Sequence, residues 1–168
     1  MTELDHVWSQ MLDEAETRTA KDGRRHVAEY LRLRATNDGI RTAGVEWLYD
    51  TVIEIAGRAM SERHGITIER EEPRSFVRGN STMVGSLLCI RHGVRCLTVE
   101  TGWVRTPSDG IMPKGALVYA RITHFGMPKA GAEIRLVHAK SLPQWLDEVD
   151  AIVDSAELSR HFDLFLGS

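Results

Sequence analysis

Residues 83–104, MVGSLLCIRHGVRCLTVETGWV, carry the pattern that decides the fold. On both sides of His92-Gly93 the residues follow a period of two, so the stretch reads as two strands joined by a tight turn. A two-residue loop at His92-Gly93 pairs Arg91 with Val94, and therefore Cys89 with Cys96, Leu87 with Thr98 and Gly85 with Glu100. Working outward, strand patterns run over 66–71, 83–91, 94–104, 115–125 and 132–139. The connections among the last four are too short to hold crossover helices, which predicts an antiparallel meander. Matching burial across the 105–114 loop pairs Val99 with Ala120, Leu97 with Ile122 and Glu100 with Tyr119.

Helical spacing flanks the strands. Thr2 caps a first pattern of Leu4, Val7, Trp8, Met11, Leu12 and Ala15. After a break near Lys21-Asp22-Gly23, a second pattern sets Val27, Tyr30, Leu31 and Ala35 opposite Arg25, Glu29 and Arg32. Asn37-Asp38-Gly39 stops that helix and caps a third, with Ile40, Gly44, Trp47, Leu48, Thr51, Val52, Ile55, Ala59 and Met60 on its apolar side. Ser141-Leu142-Pro143 opens a last helix with the stripe Trp145, Val149, Ile152, Val153 and Ala156. The expectation is one α+β domain over 1–168: a helical part at 1–64, an antiparallel sheet at 65–140, and a C-terminal helix and tail at 141–168. About three N-terminal helices and the C-terminal one pack on one face of a curved sheet of four or five strands.

At 168 residues, 42% hydrophobic and 27% charged, the chain has the composition of a soluble globular domain and not of a disordered or fibrous one. The net charge of -3 disfavours nucleic acid as the main partner. Charge is segregated: residues 1–16 hold five acids and no base, and residues 144–168 hold six acids against Arg160. No basic start with an apolar run of signal length occurs, and no stretch approaches the roughly 20 apolar residues of a membrane span. The reading is a cytoplasmic protein without membrane contact.

Alternation sorts the strand residues into two faces. One carries Val84, Leu88, Ile90, Leu97, Val99, Trp103, Val118, Ala120, Ile122, Ile134 and Leu136, apolar enough for helices to cover. The other carries Met83, Leu87, Cys89, Cys96, Thr98, Glu100, Leu117, Tyr119, Arg121, Thr123, Phe125, Glu133 and Arg135, too greasy for plain solvent and too polar for a core. Such a face suits a ligand groove or a two-fold contact with a second copy. A half-exposed face with a diagonal Glu100–Arg121 bridge worth under about 1 kcal/mol explains it equally. Gly85 opposite Glu100 leaves a vacancy beside the carboxylate.

Chemical motifs are sparse. G-x-S-x-G, P-loop, G-x-G-x-x-G and H-E-x-x-H are all missing from the sequence. Cys89 and Cys96 read as reduced thiols, His124 and His138 as strand-end histidines too far apart to share a metal, and Glu69, Glu71 and Glu72 as a solvated edge. No metal or cofactor is expected. Two loops add candidates: 105–115, with Arg105, Asp109 and neighbouring Trp103, and 72–80, with its Arg74-Phe76-Arg78 alternation. The functional expectation is a non-catalytic binding domain, a homodimer, holding a small polar or anionic ligand or another subunit through Thr98, Glu100, Trp103, Arg105, Asp109, Tyr119 and Arg121. The alternative is a small hydrolase with Glu100 as base or metal ligand and Arg121 stabilising an anion. A third reading docks the apolar ending Phe162, Leu164, Phe165 and Leu166 on a neighbour.

Overall fold

The structure, a computed structural model, describes residues 9–14, 17, 25–138 and 142–167, with backbone alone over 25–30. The cap at Thr2, the apolar positions Leu4, Val7, Trp8 and Ala15, the break at Lys21-Asp22-Gly23 and the faces assigned to Arg25, Val27, Glu29 and Tyr30 lie outside what is described. Helix α1 is seen at residues 9–14 and 17, followed by α2 (Arg25–Met60). Six strands follow, β1 (Ile66–Arg78), β2 (Ser81–His92), β3 (Arg95–Trp103), β4 (Val118–His124), β5 (Ala132–His138) and β6 (Pro143–Leu146), and then helix α3 (Ser155–Leu166). The strands form one antiparallel sheet in sequence order, so the protein is α+β with the expected meander. No helix among the described residues is long and apolar enough to cross a membrane. By contacts the chain divides into two units, Met1–Thr42 and Ala43–Ser168.

The second and third predicted helices are one. Asn37, Asp38 and Gly39 lie inside α2, where the Asp38 carboxylate accepts from Arg41 at 2.7 Å and the Asp38 carbonyl from the Thr42 hydroxyl at 3.0 Å. Gly39 lacks the positive φ of a helix-ending glycine, so its cost of about 1 kcal/mol against alanine is absorbed within the helix. Within the second unit, α2 buries Val45, Leu48, Tyr49, Val52 and Ala56. This stripe is rotated from the expected one, leaving Trp47 42% and Met60 43% exposed. Tyr49 sets the docking: its hydroxyl donates to the Val99 carbonyl, accepts from the Ser86 hydroxyl and is hydrogen-bonded to the Thr101 hydroxyl, three buried polar groups satisfied together.

The C-terminal helix starts later than predicted. Pro143–Leu146 is a sixth strand pairing with β5, with Trp145 opposite Leu136 and its indole donating to the Gly44 carbonyl at 3.1 Å. Asp147 then accepts from the amides of Val149 and Ala151, and Asp150 takes φ 65, a turn through which no helix runs. Asp154 caps α3 by accepting from the Glu157 amide at 3.0 Å. Phe162 and Phe165 are buried in their own chain, so only Leu164, 48% exposed, remains from the apolar ending as a large exposed residue.

Both predicted hairpin registers are displaced by two residues. The β2–β3 loop is Gly93-Val94, with His92 opposite Arg95, because Gly93 (φ 61) supplies the positive φ at the first loop position. Across β3 and β4, Val99 faces Ile122 and Glu100 faces Arg121. An even displacement preserves every facing assignment while changing every partner. Cys89 thus faces Thr98, Cys96 faces Arg91, and Gly85 faces Gly102. The vacancy expected at Gly85 is filled by backbone, since a Cβ there would stand 2.6 Å from the Gly102 Cα.

Candidate functional site

The second face of the sheet is organised by β1, which extends past its predicted end at residue 71. A one-residue bulge between Glu71 and Arg74 changes which residues face which side. Before it Glu69 and Glu71 share the second face, and after it Arg74, Phe76 and Arg78 do, so the predicted 72–80 loop is strand up to Arg78. The sheet curls strongly. Arg78 on β1 donates to the Glu133 carboxylate on β5 at 3.2 Å, although four strand spacings span roughly 19 Å in a flat sheet. Phe76, Met83 and Tyr119 form a small apolar cluster where β1 folds over, with Val104 and Met112 packed against it.

Two carboxylates organise this face. Glu100 is 8% exposed, and each oxygen has its own guanidinium: Arg121 at 2.7 Å and Arg74 at 3.0 Å. Arg74 also binds Glu71 at 3.1 Å, and Arg70 holds Glu72 at 3.1 Å, so these edge glutamates are arginine partners. Glu133 accepts from the Tyr119 hydroxyl at 2.6 Å and from Arg78, whose guanidinium lies 5.0 Å from the Tyr119 ring centre. Burial alone would raise the Glu133 carboxyl; the hydrogen bonds from Tyr119 and Arg78 and the nearby Arg121 charge outweigh it and hold the group below its ordinary value. Burial and the Glu133 carboxylate push the Tyr119 phenol well above its usual value, leaving it a protonated donor.

Beside this second carboxylate opens a depression of about 310 Å³, walled by Arg78, Lys114, Tyr119, Glu133, Arg135 and Glu148. Arg135 has only 12% of its side chain exposed and donates to the Asp147 carbonyl at 2.8 Å and to the Asp150 carboxylate. Asp150 also meets Lys114 at 3.8 Å, and both residues adopt left-handed backbone. Among the described residues, the Nε–H groups of Arg78 and Arg135 are buried without a hydrogen-bond partner.

Of the residues expected to form a site, Glu100, Tyr119 and Arg121 come together on this face, with half-buried Thr98 further along it. Trp103 belongs to the opposite face and carries the Arg105 guanidinium 3.8 Å above its ring. Arg105 donates to the Val84 carbonyl at 2.9 Å, and Asp109 accepts from the Thr106 amide and hydroxyl, so both organise the 104–112 loop. Arg78, Lys114 and Arg135 were outside the predicted site. The Arg-Phe-Arg alternation was the legible signal for Arg78, and strand parity placed Arg135. No metal-ligating cluster of three or more His, Cys, Asp or Glu exists among the described residues. Comparison with known protein families, characterised proteins and solved structures finds no match for this chain.

Proposed function

We propose that the protein is a non-catalytic binding domain whose second sheet face holds a small polar ligand bearing an anionic acceptor, seated between Arg78, Tyr119 and Arg135. One observation carries the reading: two buried guanidinium Nε–H donors without partners belong to residues walling the same depression. A buried unsatisfied donor costs about 1–3 kcal/mol, so a carboxylate or phosphate that draws the two guanidinium groups toward the depression would recover part of that cost. The volume suits a small molecule, near the lower end of the roughly 300–1,000 Å³ typical of ligand sites. A binding role is also supported at Glu100, whose two oxygens are each occupied by an arginine, leaving it poorly placed as a general base.

Calorimetric titration with citrate and with inorganic phosphate tests the proposal on wild type, Arg78→Met and Arg135→Met. The expected result is binding of at least one probe by wild type, weakened at least tenfold in both variants, the ratio that about 1.4 kcal/mol represents. Binding of equal strength in all three proteins, or no binding by wild type at probe concentrations up to about 10 mM, would overturn it.

A further inference from the structure

The chain has two cysteines, and the fold brings them together. Cys89 on β2 and Cys96 on β3 lie diagonally across the hairpin, Cys89 opposite Thr98 and Cys96 opposite Arg91, with their Sγ atoms 3.2 Å apart and both thiols free. A disulfide bond is about 2.05 Å long, so the sulfurs need to close by only roughly 1.2 Å. The two thiols differ in surroundings: Cys89 is buried, whereas Cys96 is partly open to solvent. Burial and the neighbouring Cys96 thiol push the Cys89 thiol up to about 11, which keeps it protonated and leaves Cys96 as the group a solvent-borne oxidant meets first.

We infer that Cys89 and Cys96 form an oxidative modification site, closing reversibly to a cross-strand disulfide when the protein meets a peroxide. The Cys96 thiol gives its proton to solvent and its sulfur attacks a peroxide oxygen. The O–O bond breaks, an S–O bond forms, and the departing hydroxide is protonated to water. The resulting sulfenic acid on Cys96 is attacked by the Cys89 sulfur. An S–S bond forms, the S–O bond breaks, and a second water leaves with the Cys89 proton. Two thiols are oxidised by two electrons and one hydrogen peroxide is reduced to two waters. Because the two residues sit diagonally and not directly opposite, closing the bond requires the hairpin backbone to give, which favours its reopening by thiol reductants.

Intact-mass measurement of the full chain, treated with hydrogen peroxide and then alkylated under denaturing conditions, tests this. The expected product is a monomer about 2 Da lighter with neither cysteine alkylated, returned to two alkylated cysteines by dithiothreitol. Cys89→Ser is expected to stall at an oxygenated or intermolecularly linked Cys96, which shows that Cys89 resolves the intermediate. Wild type that keeps two alkylatable thiols, gains only oxygen, or forms only intermolecular disulfides under the same treatment would overturn the inference.

Discussion

Glu100 offers a quantitative test of how the second face is held together, because two different arginines divide one buried carboxylate between them. Arg121→Met keeps most of the aliphatic stem and removes a bond to an ionised group, ordinarily worth about 1.5–3 kcal/mol. With Arg121 39% exposed and Arg74 still in place, solvent screening reduces the expected cost to about 1 kcal/mol. Arg74, 37% exposed, should behave alike when changed to methionine. Removing both leaves a carboxylate that is 8% exposed with no cation on either oxygen, and stripping a buried charge of its partners costs about 3–5 kcal/mol. The double variant should therefore exceed the sum of the single ones by about 1–3 kcal/mol. Adding Glu100→Gln to it removes the orphaned charge and should return most of that excess. Urea unfolding with an unchanged m-value reads all four. Additive single and double effects would refute the reasoning, because they would mean that solvent reaches Glu100 freely.

Four further expectations follow from other parts of the structure. His124 and His161 share a hydrogen bond at 3.0 Å, and burial lowers both below the usual imidazole value. The unfolded chain thus binds more protons, and their contribution, complete above about pH 6.5, is lost as pH falls below it; unfolding free energy measured at pH 7.5 and 5.5 should drop more in wild type than in His161→Asn. Gly39→Ala, whose Cβ meets nothing within 4 Å, should stabilise the protein by about 0.5–1 kcal/mol in thermal unfolding if α2 is continuous, and destabilise it if the helix breaks there. Gly85→Ala pushes a Cβ against the β3 backbone and should cost about 2 kcal/mol or more in the same measurement. Tyr119→Phe should cost about 1–2 kcal/mol and let the Glu133 carboxyl titrate closer to its ordinary value, followed by its side-chain carbon resonance.

The meander was legible because a period of two and short connections leave little else for residues 83–138 to form. Facing was legible for the same reason, and it survived two register errors because both were even. Partners were less legible: a histidine and a glycine beside a valine allow either of two loops, and only the backbone shows that Gly93 takes the first position. The helix break at Asn37-Asp38-Gly39 misled because capping residues also sit inside helices when their side chains find local partners, as Asp38 does with Arg41. At the C-terminus, Trp145, Val149, Ile152 and Val153 fit helical spacing, yet the edge of β5 takes Pro143–Leu146 as a strand, a long-range pairing that local pattern does not register. The candidate site was legible at Glu100, Tyr119 and Arg121, which alternation put on one face. Its depression was not, because it depends on the bulge at Glu71/Arg74 and on the curl that carries Arg78 to Glu133.

The central claim is that the Arg78–Tyr119–Arg135 depression is where a small acceptor-bearing ligand sits. Amide chemical-shift mapping on the isotopically labelled 168-residue chain, titrated separately with citrate and inorganic phosphate, tests it most directly. The account predicts saturable shifts confined to residues around Arg78, Lys114, Tyr119, Glu133 and Arg135, with the amides of the Gly93-Val94 loop and of α3 unmoved. Saturable shifts centred anywhere else, or no shifts with either probe, would contradict it.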